Sequence, residues 1–397
     1  MLVVVLLTGL AHAGQISVDA GRGPVTIYVP ASYTPGTPAP LLVLLHGYTA
    51  TGAQVEAFVQ MQPVTEQYGF LYCHPNGTKD NFNNWAWNGA GCCGAGIAGI
   101  DDVAYLRDLI FAIAGQLDVD DKRIFLMGHS NGGFMSHRMA CESTDLIAGI
   151  ASLAGVNWKN PATCTPSETI HVLQMHGTSD GVIPFNGNGN WPGAQQTVDD
   201  WRARNGCDAT AEVLPAFDAD ASVSGSETTV ERWADCDVGG SVELWTMVGS
   251  GHIPNVTAAW RTQVMDWFVD HPKPGDWVDL GGALAGASGE PSLSGVGALL
   301  GNDPMALTLS GALGSAPVAY VLGFTQLGAP FKGGTMVPFP DVILYGLVTD
   351  AVGGNSLQAT WPPGLPSGFE LYLQAWITDA AAAVGFAASN GLVATTP

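Results

Sequence analysis

Positive charge is what this sequence has least of. It holds 13 Lys and Arg against 35 Asp and Glu, a formal net charge of −22, and only five of the cations are lysine. That field repels a polyanion such as nucleic acid and an anionic membrane surface, so neither is an expected partner. Long apolar runs are missing as well. A transmembrane helix needs about 20 consecutive apolar residues, and no segment supplies them. Cysteine never occurs as C-x-x-C, which removes the usual zinc-site spacing.

What is there describes a globular, extracellular chain. Hydrophobic residues make up 47%, enough to bury a sizeable core and exclude general disorder. The 52 glycines in 397 residues are nearly twice the usual share, which implies many turns and much β-structure. Leu2 to Leu10 is apolar but for Thr8 and Gly9 and is followed by Ala11-His12-Ala13. This is an h-region with an A-x-A cleavage site, though without a basic n-region. Residues 1–13 are therefore read as a secretion signal, with a buried N-terminal strand as the alternative. Seven cysteines fit an oxidising compartment, as three bridges and one thiol. Proximity favours Cys207–Cys236 and Cys141–Cys164, and leaves open whether Cys92 and Cys93 bridge each other or separate partners.

Texture changes near residue 272. His271-Pro272-Lys273-Pro274-Gly275 is a breaker-rich connector. Residues 276–397 hold one cation, Lys332, and eight acids. Before the connector, apolar strand patterns at 25–29, 41–45, 70–74, 124–127, 147–153, 170–175 and 242–248 alternate with helical patterns. The helices are read at 101–116, 131–141, 195–204 and 256–269, with Asp101 as the N-cap of the first. This alternation implies a mostly parallel sheet with helices on both faces. After the connector, short apolar runs at 305–309, 318–322, 342–348 and 369–376 are separated by Gly, Pro and Asn clusters, which read as an all-β sandwich-like domain. The alanine-rich stretch 380–388 fits helix or strand. The expected organisation is a signal at 1–13, an α/β domain at 14–271, a linker at 272–275 and a β-sandwich accessory domain at 276–397.

Gly128-His129-Ser130-Asn131-Gly132 is a G-x-S-x-G that follows a strand pattern and opens a helix pattern, the setting in which such a turn presents its serine. A serine hydroxyl needs a base to become nucleophilic at neutral pH, and histidine has the matching pKa. On a parallel sheet of this kind the acid and then the histidine follow, each after a later strand. Asp180 follows the strand at 170–175 and His252 follows that at 242–248, so Ser130, Asp180 and His252 are the expected catalytic triad. Asp199 and Asp200 compete as acids but lie in a helix pattern. His46, His74, His129, His137, His171, His176 and His271 read as structural. The backbone N–H groups of Asn131 and of Tyr48, after the strand at 41–45, are the expected oxyanion hole. Trp85, Trp87, Asn88, Trp158 and Trp191 lie on loops at the same sheet edge and are the substrate-facing candidates. Asp218-Ala-Asp220-Ala-Ser222 lacks the glycine and terminal Glu of a calcium loop and reads as a solvated turn. Asp118, Asp120 and Asp121 with Lys122-Arg123 read as a polar connector. No metal or organic cofactor is expected.

These motifs together resemble the secreted polyhydroxybutyrate depolymerase and feruloyl esterase family of α/β-hydrolases. The resemblance rests on Leu45-His46-Gly47-Tyr48, on Trp87-Asn88-Gly89-Ala90-Gly91-Cys92-Cys93-Gly94, on Asp101-Asp102-Val103, on the Ser130 motif, on His176-Gly177-Thr178-Ser179-Asp180 and on Asn205-Gly206-Cys207. It covers residues 15–270 approximately, and Cys73 departs from the family pattern. It implies the same triad and oxyanion hole, an α/β-hydrolase fold, and a secreted serine carboxylesterase. The implied partner is a polymeric ester, either feruloyl or acetyl groups on plant polysaccharide or a polyhydroxyalkanoate polyester. The sequence assigns no oligomeric state. Two other readings stand beside it: a secreted serine peptidase of the same fold, and a polymer-binding protein with an inactive hydrolase domain.

Overall fold

A computed structural model describes residues 14–382 and 384–397, so the signal expected at 1–13 lies outside the described residues. The chain forms two compact units that divide between Lys273 and Pro274.

The first unit is built on ten strands: β1 (Gly14–Asp19), β2 (Pro24–Val29), β3 (Ala39–Leu45), β4 (Leu71–Cys73), β7 (Val119–His129), β8 (Gly149–Leu153), β9 (His171–Gly177), β10 (Glu212–Phe217), β11 (Thr228–Trp233) and β12 (Ser241–Met247), with a separate short ribbon of β5 (Thr78–Lys79) and β6 (Trp85–Ala86). The sheet order is β1-β2-β4-β3-β7-β8-β9-β12-β11-β10. From β4 to β12 neighbours run parallel, and the pairs at either edge are antiparallel. The helices are α1 (Gly52–Val59), α2 (Gln62–Tyr68), α3 (Asp102–Ala114), α4 (Asn131–Glu142), α5 (Ala194–Arg204) and α6 (Ala258–Asp270). Alternate residues of the central strands feed two cores. Leu41, Val43 and Leu45 join α3, α4 and α5 on one face, while Leu42 and Leu44 join α1 and α6 on the other. This is the α/β-hydrolase arrangement, a mostly parallel sheet covered on both faces.

Local chemistry accounts for the helix starts that matter below. The Asp101 carboxylate accepts from the Ala104 N–H at 2.9 Å, capping α3. The next acid, Asp102, is fully buried; it pairs with Arg22 and accepts from the Asn88 N–H at 2.6 Å, anchoring the loop that leads to the site. The polar run 118–123 corrects its reading as a connector. From residue 119 onward it is the start of β7, where Val119 pairs with Ala39, and Asp120 is buried with Arg123 3.6 Å away. Asp220 likewise is not in a solvated turn. Fully buried, it accepts from the N–H groups of Ser222 and Asn255, both at 2.9 Å, and so ties down the segment just beyond His252.

The second unit is all-β among its described residues, with eleven strands: β13 (Asp276–Gly281), β14 (Ser292–Val296), β15 (Pro304–Ser310), β16 (Pro317–Gly323), β17 (Gln326–Phe331), β18 (Gly334–Pro338), β19 (Val342–Val348), β20 (Asn355–Thr360), β21 (Glu370–Thr378), β22 (Phe386–Ala388) and β23 (Gly391–Thr395). One sheet runs β13-β23-β21-β16-β19 with β22 on β21, and a second runs β14-β15-β20. Leu293, Leu307 and Leu309 of the small sheet share a core with Val318, Tyr320, Leu373, Ala375 and Ile377 of the large one. The unit is a sandwich. The alanine-rich stretch resolves into turn followed by β22.

Candidate active site

Ser130 stands at the junction of β7 and α4 with φ 54° and ψ −120°, a conformation that L residues rarely adopt. The flanking glycines make the turn possible. A Cβ on Gly128 would lie 2.2 Å from the Gly132 carbonyl, and one on Gly132 would lie 2.2 Å from Leu45 O. The serine is thus held against the end of β3, and the next loop is equally close: a Cβ on Gly47 would meet Ser130 Cβ at 3.4 Å.

The two other expected residues meet Ser130. His252 Nε2 lies 2.9 Å from Ser130 Oγ, and His252 Nδ1 lies 2.7 Å from Asp180 Oδ2. Asp180 Oδ1 accepts from the N–H groups of Val182 at 2.8 Å and Ile183 at 2.9 Å. Burial alone would raise the Asp180 carboxyl. Bonds from His176, from His252 and from the Val182 N–H outweigh burial and hold the acid well below its ordinary range. The anion keeps Nδ1 of His252 protonated, which leaves Nε2 free to accept from the serine hydroxyl.

Three residues read as structural prove to support this line. His129, the variable residue of the G-x-S-x-G, donates from Nε2 to the His252 carbonyl at 2.8 Å and so fixes the backbone of the base. Burial beside His252 pushes its pKa down to about 4 and keeps it neutral. His176 reaches Asp180 Oδ2 at 3.4 Å and the Ile183 carbonyl at 2.8 Å through Nε2. Behind it, Gln174 offers its amide N–H to His176 Nδ1 at 3.3 Å and accepts from His137 Nε2 at 2.9 Å; Trp201 Nε1 then donates to His137 Nδ1 at 3.0 Å. This buried chain of donors from α5 to Asp180 dictates the tautomer of each imidazole. Gln174 and Trp201 were not singled out in the sequence. The only available sign was a polar residue inside the apolar run of β9.

At the expected oxyanion donors, Asn131 is the first residue of α4, so its N–H has no carbonyl one helical turn behind it. Its side chain clasps the Trp87 backbone, accepting from N–H at 2.7 Å and donating to the carbonyl at 2.9 Å. Tyr48 sits in the turn after β3, its hydroxyl donating to Asp80 at 2.6 Å and accepting from Asn84 at 3.1 Å.

The aromatic candidates divide. Trp87 corrects its placement at the substrate: it is fully buried, with ring contacts to His46 and Tyr105, and offers no face to a ligand. The Asn88 amide is spent on the Ala98 and Ile100 carbonyls, at 3.2 and 2.8 Å, so it braces its loop. Trp85 is half-buried with Lys79 over its ring. Trp158 and Trp191 are half-buried against Cys92, Phe134 and Ile183, and Trp191 Nε1 donates to Gly91 O at 3.3 Å. A cleft of about 570 Å³ lies among Asn88, Cys92, Cys93, Arg138, Glu142 and Trp158, and no triad residue lines it. Exposed apolar side chains that the sequence reading passed over flank the triad instead: Val182, 58% exposed, on the Asp180 loop, and Ile253, 70% exposed, beside His252.

Three disulfides are formed: Cys92–Cys93, Cys141–Cys164 and Cys207–Cys236. Cys73 is a buried thiol whose pKa burial pushes up to about 12. Among the described residues, no group of three or more His, Cys, Asp or Glu is placed to hold a metal ion, and no helix is long and apolar enough to cross a membrane.

Residues 25–186, which include Tyr48, Ser130 and Asp180, match the family described as Esterase PHB depolymerase. Through this segment the chain is similar to that family. Among similar proteins, a feruloyl esterase B of Piromyces equi is 29% identical over 240 residues, covering 57% of this chain and 42% of its own. A bifunctional acetylxylan esterase/xylanase of Neocallimastix patriciarum is 23% identical, covering 64% of this chain and 34% of its own. A poly(3-hydroxybutyrate) depolymerase of Ralstonia pickettii is 32% identical over 149 residues, covering 35% of this chain and 30% of its own. The chain thus spans less than half the length of each. A solved acetyl xylan esterase from Aspergillus awamori covers 64% of this chain and 98% of its own, at 18% identity and a TM-score of 0.47.

Proposed function

We propose that the chain is a secreted serine carboxylesterase that cleaves ester bonds of extracellular polymers through an acyl-enzyme on Ser130. The observation that carries this reading is the continuous line Asp180–His252–Ser130, at 2.7 and 2.9 Å. As Ser130 Oγ attacks the ester carbonyl carbon, its proton passes to His252 Nε2. The carbonyl oxygen becomes an oxyanion held by the N–H groups of Asn131 and Tyr48, and each such donor lowers the barrier by about 3 kcal/mol. Collapse expels the alcohol, which takes the proton from His252 and leaves the acyl group on Ser130. Water then attacks, gives its proton to His252, and the acid departs as Oγ regains that proton.

The family and its relatives support an ester substrate, either feruloyl or acetyl groups on plant polysaccharide or a hydroxyalkanoate polyester. Trp85, Trp158 and Trp191 are the proposed aromatic contacts, with Val182 and Ile253 as an apolar rim. The three disulfides suit an oxidising, extracellular setting. The test is acid release from feruloylated arabinoxylan and from amorphous polyhydroxybutyrate, with the chain and its Ser130→Ala variant in parallel. Ser130-dependent ferulate or hydroxybutyrate identifies the ester. Turnover that survives Ser130→Ala at the original rate contradicts the mechanism.

A further inference from the structure

In the second unit, the hairpin β17–β18 folds over the face of the large sheet that points away from the sandwich core. Val321, Trp376 and Ala388 of the sheet are buried together with Met336 of the hairpin, with Ile343 and Phe386 packed alongside. Between the hairpin tip and the edge strand β19 a groove of about 440 Å³ stays open. Its walls are apolar and ring-rich: Phe331 meets Trp376 edge-on at 5.0 Å, and Tyr345 and Val348 of β19 are 74% and 54% exposed. Its only charged residue is Lys332.

That lysine is unusual in its surroundings. It is the sole cation of a unit that holds eight acids, within a chain of net charge −22. Among the described residues it makes no ion pair. Its ammonium lies instead over aromatic faces, 3.4 Å from the Phe386 ring centre and 5.6 Å from that of Phe331. Cation–π contact fixes the ammonium at the groove mouth without neutralising it. An unneutralised cation beside an apolar groove is complementary to a ligand with an anionic head and an apolar body. A sugar would need polar side chains along the walls, and a neutral chain would have no use for the charge.

We propose that this groove binds an amphipathic monocarboxylate, its apolar body against Trp376, Ile343 and Met336 and its carboxylate on the Lys332 ammonium. The site is independent of the chemistry at Ser130. Its chemistry covers a free acid and the carboxylate end of an aliphatic or aryl ester chain alike.

Calorimetric titration of the full chain with 4-phenylbutyrate and with the uncharged 4-phenylbutyramide tests it. The acid is expected to bind about fivefold tighter than the amide, the increment of a partly exposed ion pair. Lys332→Gln should erase that preference without weakening the amide, Lys332→Arg should keep it, and Tyr345→Ala should weaken both ligands. Equal affinity of acid and amide, a preference that survives Lys332→Gln, or no saturable binding of the acid would each overturn the proposal. Sedimentation of the same samples covers the rival occupant: a dimer abolished by Tyr345→Ala and unaffected by the acid would place a second copy in the groove and overturn it as well. If the acid does bind, monomeric hydroxybutyrate against carboxyl-terminated oligomers separates free product from chain end.

Discussion

Asp180 receives hydrogen bonds on both carboxylate oxygens, and each has a consequence. Asn at this position would turn one acceptor into an N–H facing the His252 donor, forcing the wrong tautomer on the base. Asp180→Asn is expected to lower kcat about 10³–10⁴-fold with little change in KM, read from steady-state kinetics on a soluble ester. Gln174 acts one residue further back. Gln174→Leu would strip the partner from His176 Nδ1 and from His137 Nε2, both buried, at about 1–3 kcal/mol each. A lower melting temperature together with a lower kcat is expected; unchanged melting would show that the chain of donors does not matter. Ser130, Asp180 and His252 were legible because each directly follows an apolar strand run. His129 and His176 were not, since a histidine in a glycine turn looks the same whether it fills space or holds a neighbour. Trp87 misled for the opposite reason: an aromatic in a Gly- and Asn-rich loop reads as exposed, and here Asn131 draws the loop backbone inward.

The elbow between β7 and α4 shows how little freedom an element can have. A methyl group on Gly132 would sit 2.2 Å from Leu45 O and 2.6 Å from Leu45 C, both backbone atoms of a central strand. Gly132→Ala is therefore expected to displace the elbow or abolish folding. Circular dichroism and activity of any soluble fraction check this, and a folded, fully active variant would contradict the packing argument. The same scale explains which elements could be read. The buried parallel strands announce themselves as apolar runs, whereas β10 is an exposed edge strand containing Pro215 and shows no pattern. Helix α1 did carry a signal, the capping box of Thr51 and Gln54, but it is only eight residues long. The polar start of β7 was misread because strand pairing with β3, and not hydrophobicity, places it in the sheet.

Across the whole molecule, buried histidines set the acid limit of stability. His46, His129, His137 and His171 are each pushed down to about 4 by burial, and His271 well below its ordinary value. In the unfolded chain they titrate near 6.5. Their folded pKa values are depressed, so the stability they provide is complete above about pH 6.5 and is lost as pH falls towards 4. Glu243, raised by burial, works weakly in the opposite sense. The melting temperature is expected to stay level from pH 7 to 8 and to drop steeply below 6 in differential scanning calorimetry; a level profile down to pH 4.5 would contradict this. The division into an α/β unit and an all-β unit follows the fall in charge after residue 275, a contrast of composition that one shared core would not tolerate. What the β unit does was not legible, because the function of Lys332 depends on rings brought to it from β17 and β22.

The most direct measurement of the central claim is intact-protein mass spectrometry after treatment with a fluorophosphonate, which reacts only with an activated serine. A single adduct is expected, located on Ser130 by peptide mapping, absent in Ser130→Ala and formed at least about a hundredfold more slowly in His252→Ala. An adduct on another serine, or labelling of Ser130 that is indifferent to His252, would contradict the account.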